Sequence, residues 1–553
     1  MRWATAPVNR DERQLVGLCL GELVEQDHPV RYFDELLNEL DWSIWEEKYE
    51  GNGQPPIHPK LVAGTILYCL TIGARSGRQM EDATRNRTDV QWFLSMRSID
   101  HTTFSVFRKR FPEELKDLSK QLKVVALRRL GGSGNTLALD GTFIRAKSDR
   151  HSSKTAAQLQ KAVVAIGNEI ESILAEIEEL EEKEELKREL NDLRERLARK
   201  ERELEQTKYA LEKGRARDEK KQKKGAVRVP TGDPDAKVQK NKDGGFAPNH
   251  HAVIGVDVDS GVVLDEEVLG EEGEAEALQP MVERCSEAFG RPDSVLADGS
   301  FSSGENLKAL SDTGVEAFIP QKYEGGCRLA ERDDPSQPLP PEIVARLPRY
   351  GNRFTSEAFV YVPEEDCWYC PTGRALPRYR TMNNSGHNRC VTKVEYKARD
   401  CSACPLRSAC IQSTKPKATR TISRDEYANL RSDAAKRLKS AKGSAAYRRR
   451  APAVEGVFGT IKNAMAIRHF YFRGLEAVRS EWRWICAAYN LKKLLRHAPA
   501  APRQFYPSQH HSRSLTNLFA LSRTKTRTSP DGSLRRDMPL GTLYRSRLAP
   551  GYA

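Results

Sequence analysis

Three carboxylates and the cations around one of them carry the chemistry in this sequence. From Tyr447 to Ala464 the chain reads YRRRAPAVEGVFGTIKNA. Val454, Val457, Phe458 and Ile461 recur there at helical spacing and make one apolar stripe. Glu455 stands among them, with Lys462 two turns on and on the same helix face, and with Tyr447, Arg449 and Arg450 before it. Such a set suits work on a phosphodiester, the acid holding a metal and the cations holding the strand. Taken alone, the same pattern also fits an amphipathic helix with a solvated acid. Asp140 lies in NTLALDGTFIRAK, a short buried-strand pattern built on Leu137, Leu139, Thr142 and Phe143. A carboxylate inside such a strand is costly unless it is paired or binds a metal. Asp298 ends the run Val295, Leu296, with Gly299 opening the next turn. Asp257 and Asp259 are rival acids that a hairpin turn at Asp259-Ser260-Gly261 explains better.

A second cluster is made of sulfur. Six of the 11 cysteines fall at Cys367, Cys370, Cys390, Cys401, Cys404 and Cys410, two pairs of them as Cys-x-x-Cys. In a reducing compartment that spacing suits tetrahedral Zn²⁺, with Cys367, Cys370, Cys401 and Cys404 as the expected ligands. Cys390, Cys410 and His387 stand in reserve, and a cysteine-rich loop without metal is the alternative.

The elements that must position these groups follow in order. Residues 1–130 read as helical, with Phe33, Leu36, Leu37, Leu40, Ile44 and Trp45 at helical spacing and Asp100 or Thr102 able to cap a short helix. The basic helix ends at Arg75, Arg78, Arg85 and Arg87 fit either a helix-turn-helix DNA reader or a bundle with a basic surface. Residues 131–156 and 246–320 alternate short strands and helices, the pattern of an α/β layer with a mixed sheet. Between them, Leu159, Val163, Ile166, Ile170, Ile173, Ile177 and Leu180 alternate spacings of four and three. Leu186, Leu190, Leu193, Leu197, Leu204 and Leu211 resume that seam out of phase. This is a coiled-coil signature within 157–245, and the slip at EEKEE is a stutter or a turn. A straight helix would end far from the sheet, so we expect an antiparallel hairpin turning near Glu182–Glu185, with Ile170, Ile173 and Ile177 facing Leu190, Leu193 and Leu197. The basic stretch that follows is either a DNA contact or a solvated return linker. Residues 321–440 form the cysteine-rich insertion, residues 441–498 hold the helices around Glu455, and the Arg-, Ser- and Pro-rich tail 499–553 is expected to be disordered.

Composition narrows the partners. The 553 residues carry 90 Lys plus Arg against 77 Asp plus Glu, a formal charge of +13, with a pI near 9.1. That balance favours nucleic acid or another anionic surface. No apolar run nears the roughly 20 residues of a membrane span, and the N-terminus lacks a signal-peptide core. A cytoplasmic protein is expected.

With acids on a strand, a strand and a helix, the chain resembles the DDE transposases of bacterial insertion sequences. HPVRYFDELLNELD through RQMEDATRN and DHTTFSVFRKRF is similar to the helical N-terminal domain of one large group of them. LALDGTFIRA resembles their first-acid strand, DPDAKVQKNKDGGFAPNHHAVIGVD the second-strand segment, and VLADGSFSSGENLKAL the second-acid strand and helix. YKARDCSACPLRSAC resembles a cysteine motif often inserted before the last acid, and YRRRAPAVEGVFGTIK a signature of Tyr, Arg, Glu and Lys. Two departures stand out. The Arg-to-Glu spacing is one longer than usual, which leaves Arg449 and Arg450 both open, and ADGSF has Phe where Tyr is more usual. The resemblance implies an RNase H-like mixed sheet with an all-α N-terminal domain. It also implies cleavage and joining of double-stranded DNA, at transposon ends and target, by a homodimer assembled on DNA and associated with the nucleoid. Mg²⁺ or Mn²⁺ would be held by Asp140, Asp298 and Glu455, with Tyr447, Arg449, Arg450 and Lys462 on the DNA. Two-metal cleavage needs carboxylates holding ions about 3.5–4 Å apart, so Asp140 would bridge both ions, Asp298 hold one and Glu455 the other. A DNA-binding repressor or architectural protein that has lost catalysis is the alternative.

Overall fold

Leu137, Ala138 and Leu139 have no solvent exposure and lie in the central strand of a six-stranded mixed sheet. The computed structural model describes residues 19–49, 55–181, 187–220, 226–240, 244–321, 330–386 and 389–497. The sheet contains β1 (Thr136–Arg145), β2 (Lys237–Lys240), β3 (Phe246–Asp257), β4 (Val263–Leu269), β5 (Ser294–Leu296) and β6 (Glu316–Phe318). β1 pairs antiparallel with β3 from Leu137 to Arg145, with Asp140 opposite Ile254. Its other edge pairs parallel with β5 only from Thr136 to Ala138, and β5 pairs parallel with β6. β2 and β4 divide the far edge of β3 between them. All three side chains of β5 are buried, as expected of a parallel strand covered on both faces. Since β5 stops at Leu296, the edge of β1 opens just before Asp140.

The longer helices that precede the sheet are α1 (Pro29–Asn38), α2 (Pro59–Thr71), α3 (Gly77–Asn86), α4 (His101–Arg110) and α5 (Pro112–Leu130). The apolar series expected to run on to Trp45 is interrupted. α1 ends at Asn38 and a new turn begins at Ser43, so Ile44 faces solvent while Trp42 and Trp45 are buried. Asp100 caps α4, accepting the N–H groups of Thr102 and Thr103 at 2.7 and 3.1 Å.

The longer helices that follow are α6 (Ala156–Glu181), α7 (Lys187–Lys220), α8 (Glu274–Phe289), α9 (Gly304–Asp312), α10 (Ala428–Lys439), α11 (Ala441–Arg448), α12 (Arg450–Gly459) and α13 (Leu475–Arg496). α13 is buried on most of its faces, including Trp482, Trp484, Ile485 and Leu491, as befits a helix enclosed by protein. It packs against β4 on one side and α2 and α5 on the other, so the N-terminal helices and the sheet share one core. Buried polar contacts bind the two together. Glu481 of α13 accepts the N–H groups of Tyr471 and Phe472 at 2.9 and 2.8 Å, and the buried Arg108 guanidinium lies 4.9 Å from the Phe472 ring centre. Arg75 donates to the His469 carbonyl at 2.7 Å, and Lys123 meets Glu266 at 2.7 Å.

α6 and α7 run antiparallel, side by side. Gln160 accepts from Arg215 at 2.7 Å, Glu169 meets Lys200 at 2.7 Å and Glu176 meets Arg196 at 3.9 Å, so one residue number falls as the other rises. Ile166, Ile173 and Ile177 are buried along the seam. Residues 182–186, where the reversal was expected, lie outside the described residues, as does the tail 499–553. At the root, Ser153–Thr155 pairs antiparallel with Arg228–Pro230 over a small core of Leu159, Ala210, Leu211 and Val229. The polar contacts flank Ile173 and Leu197, so cysteines at these two positions should crosslink within one chain. Non-reducing electrophoresis checks this, and crosslinks found only between chains would exclude the hairpin.

The cysteine-rich segment forms a five-stranded antiparallel sheet of β7 (Val360–Val362), β8 (Cys367–Tyr369), β9 (Ala375–Gly386), β10 (Arg389–Lys397) and β11 (Thr421–Asp425). It has its own core around Phe354, Phe359, Trp368, Leu376 and Tyr396. Among the described residues no helix is long and apolar enough to cross a membrane.

Candidate active site

Asp140 occupies the open edge of β1. Its Oδ1 accepts the Gly141 N–H at 2.9 Å and meets the Arg450 guanidinium, at the start of α12, at 3.0 Å. Burial pushes the Asp140 carboxyl above its ordinary range. Arg450 and the Gly141 N–H pull it back, while the nearby charges of Asp298 and Glu274 push it further up. Asp298 follows β5 and accepts the Ser300 N–H at 2.8 Å, capping a short 3-10 turn. The two acids therefore come together where two neighbouring strands part.

Tyr447, on α11, faces the same place. Burial raises its phenol, Arg450 lowers it, and Asp298 and Asp140 raise it again. The two arginines left open by the sequence are separated. Arg450 meets Asp140, whereas Arg449 pairs with Asp259 in the turn after β3. Arg450 Nε is buried without a hydrogen-bond acceptor. Lys462 reaches β1, its Nζ lying 2.5 Å from Thr142 Oγ1 and 3.2 Å from the Phe143 carbonyl. It gets there through a π turn, Thr460–Ala464, that follows α12, a widening often found at functional sites. Glu455 is exposed on α12, and α12 packs on β1. Asp257 is fully buried and accepts the N–H groups of Gly134 and Ser260 at 3.0 and 2.8 Å, the turn-building role expected of it.

Two groups escaped the sequence reading. Glu274, in the first turn of α8, pairs with His251 of β3 at 2.8 Å, and the His251 ring lies 4.5 Å from that of Phe143. The pair presses on Gly141, where a Cβ would run into Glu274 Oε1 and come within 2.5 Å of His251 Nε2. An acid in a first helical turn ordinarily complements the helix dipole, so nothing local marks Glu274.

In the cysteine-rich sheet the expected ligands divide. Burial pushes the Cys410 thiol up to about 12, against the pull of Arg420 and with smaller upward pushes from the thiols of Cys404, Cys370 and Cys401. The charged neighbours of Cys367 are instead Glu365 and Asp366. Cys370 Sγ accepts the Arg374 N–H at 3.3 Å across a tight turn. His387 lies outside the described residues. Among the described residues no three His, Cys, Asp or Glu side chains are gathered closely enough, as they stand, to hold a metal ion.

Residues 369–495 match the family described as Transposase DDE domain, and residues 18–110 match Transposase domain (DUF772). The chain therefore carries a transposase DDE domain and an N-terminal transposase domain. The first match spans Tyr447, Arg450, Glu455 and Lys462, while Asp140 and Asp298 lie between the two matched segments. No curated protein matches the chain. DDE transposases bind DNA and use divalent metal ions.

Proposed function

We propose that this transposase cuts the ends of its own mobile element and joins them to target DNA, with Asp140, Asp298 and Glu455 as the acids of the centre. The Asp140–Arg450 pair beside Asp298 carries the reading, because it joins an acid outside the matched segments to the segment matching the DDE domain. The strand order supports an RNase H-like sheet: β1 antiparallel to β3, and β5 and β6 parallel beside it.

Divalent cations fit this donor set. A carboxyl raised by burial and by two neighbouring acids gains from added positive charge, and a sparse set of carboxylates suits Mg²⁺ or Mn²⁺. Asp140 and Asp298 would hold the ions, with Glu455 as the third acid. Bound there, the ions supply Lewis-acid activation of the attacking and leaving oxygens of a phosphodiester. The protein's own cations do the rest. Arg450, which meets Asp140 and has a buried Nε without an acceptor, would offer its fork to a phosphate. The Tyr447 hydroxyl donates to the same backbone, and Lys462 holds the strand beside Thr142. Arg449, tied to Asp259, is set apart from these roles. Incubation with DNA bearing the element's two ends should give 3′-hydroxyl cuts with Mg²⁺ and none with EDTA. Metal-independent cutting would refute the proposal.

For the cysteine-rich sheet, the thiols around Cys410 support Zn²⁺ held by Cys370, Cys401, Cys404 and Cys410, with Cys410 in place of Cys367. A small separate core benefits from such a staple. Metal analysis of the purified protein should find about one Zn²⁺ per chain, lost in Cys401→Ser/Cys404→Ser and retained in Cys367→Ser. Metal-free wild-type protein would leave only a cysteine-rich sheet.

A further inference from the structure

The basic stretch at the end of the hairpin supplies none of the groups placed at the candidate catalytic centre. Where it returns to the sheet it helps wall a groove of about 870 Å³ at the hairpin root. Five cations line this groove against one acid, Glu271. Glu271 holds Arg217 at 2.9 Å and Lys237 at 3.6 Å. Arg150, Lys220 and Arg228 line it with no acidic partner among the described residues. Phe246 also lines it, and the ring is 61% exposed. Clustered cations with no carboxylate to answer them attract a polyanion, and an exposed aromatic ring among them offers a face on which a base can stack.

The groove lies in line with the acids. Phe246 opens β3, and β3 runs without a bulge along β1 to Ile254, opposite Asp140. Side chains alternate along a strand, so Phe246 belongs to the sheet face that carries Ile254 and Asp140. The separation is about 27 Å at roughly 3.4 Å per residue, which is about eight steps of duplex DNA. The interval is also positive. Burial holds the His469 imidazole below its ordinary range, and the cations of Arg75, Arg145 and Lys147 push it lower still. Arg473 donates to the Lys147 carbonyl at 3.0 Å.

We propose that the groove at the hairpin root binds the backbone of the DNA whose phosphodiester lies at Asp140, about eight base pairs from the cut, and that Phe246 stacks on a base exposed there. The proposal rests on the catalytic reading for the direction of the DNA, whereas its test needs no cleavage. The full chain is titrated in EDTA, over a series of salt concentrations, with a fluorescent 30-bp duplex and with the same duplex carrying one unpaired base. Each lost phosphate contact lowers the log–log salt slope by about 0.9. Arg150→Ala/Lys220→Ala/Arg228→Ala should therefore reduce it by about 2.7. Lys161→Ala/Arg199→Ala/Lys208→Ala, which removes equal charge from the hairpin arms, should leave it unchanged. Phe246→Ala should weaken binding of the unpaired-base duplex about tenfold, and that of the paired duplex less. An unchanged slope in the groove variant, or an equal fall in both triple variants, would overturn the proposal. Asp140→Asn should bind with the wild-type slope. If that variant still cuts while the groove variant loses its slope, the catalytic reading fails and the groove stands.

Discussion

Asp140→Asn should lower cleavage of end-bearing DNA by about 10³-fold or more, the scale of losing several kcal/mol of transition-state stabilisation. Its affinity for the same DNA in EDTA should change little. The variant should also be no less stable than the parent. Burial and the charges of Asp298 and Glu274 already penalise the ionised Asp140, and Asn keeps the shape without the charge. Inactivity with an undiminished melting temperature separates lost chemistry from lost fold, and full activity would remove Asp140 from the centre. Arg450→Ala supplies the companion result. Removing the cation that meets Asp140 should lower cleavage about 10–100-fold, on the scale of a charge-assisted hydrogen bond. Arg449→Ala, which breaks only the pair with Asp259, should cost far less. Equal losses in the two arginine variants would refute this division of roles.

Glu481→Ala should be the most damaging change away from the acids. The carboxylate accepts two backbone N–H groups and sits near Arg108 and Arg75. Burial raises it while the two N–H groups and these arginines draw it down. Its removal leaves buried donors and cations unanswered, at about 3–5 kcal/mol, or roughly 10 °C in melting temperature. Glu481→Gln keeps one acceptor oxygen and should lose less. The N-terminal helices and the sheet share a core through α13, so calorimetry should show them melting together at the lowered temperature. A variant as stable as the parent would show that these contacts contribute little.

What the sequence revealed follows the range of the forces involved. Asp140 and Asp298 could be singled out because an acid beside a short apolar strand is locally anomalous; Asp140 lies within β1 just past the point where pairing with β5 ends, and Asp298 just after β5. A phase slip in a leucine seam is a local mark, so a break between two helices could be expected near Glu182–Glu185; the described residues show α6 and α7 on either side of that segment. Ile44 was misread because a helical series gives no warning that α1 stops at Asn38 and a new turn begins at Ser43. Arg449 and Arg450 could not be told apart by spacing, since a change of one residue on a helix turns a side chain through about 100°. Glu274 and His251 were invisible because their meeting over Gly141 is made by the packing of α8 against the sheet. Cys410 was ranked below Cys367 because a paired spacing looks more like a metal motif than a distant thiol does.

The ribbon at the hairpin root has an engineering meaning. Thr155 and Arg228 are opposite one another, so the chain leaves and re-enters the catalytic sheet through a single doorway. Whatever is threaded through it places little demand on the pairing of β1 with β3. This is the geometry of a socket: the arm can be trimmed, extended or exchanged for another module while the acids keep their places. Descendants of this chain could alter their reach along DNA without rebuilding the sheet.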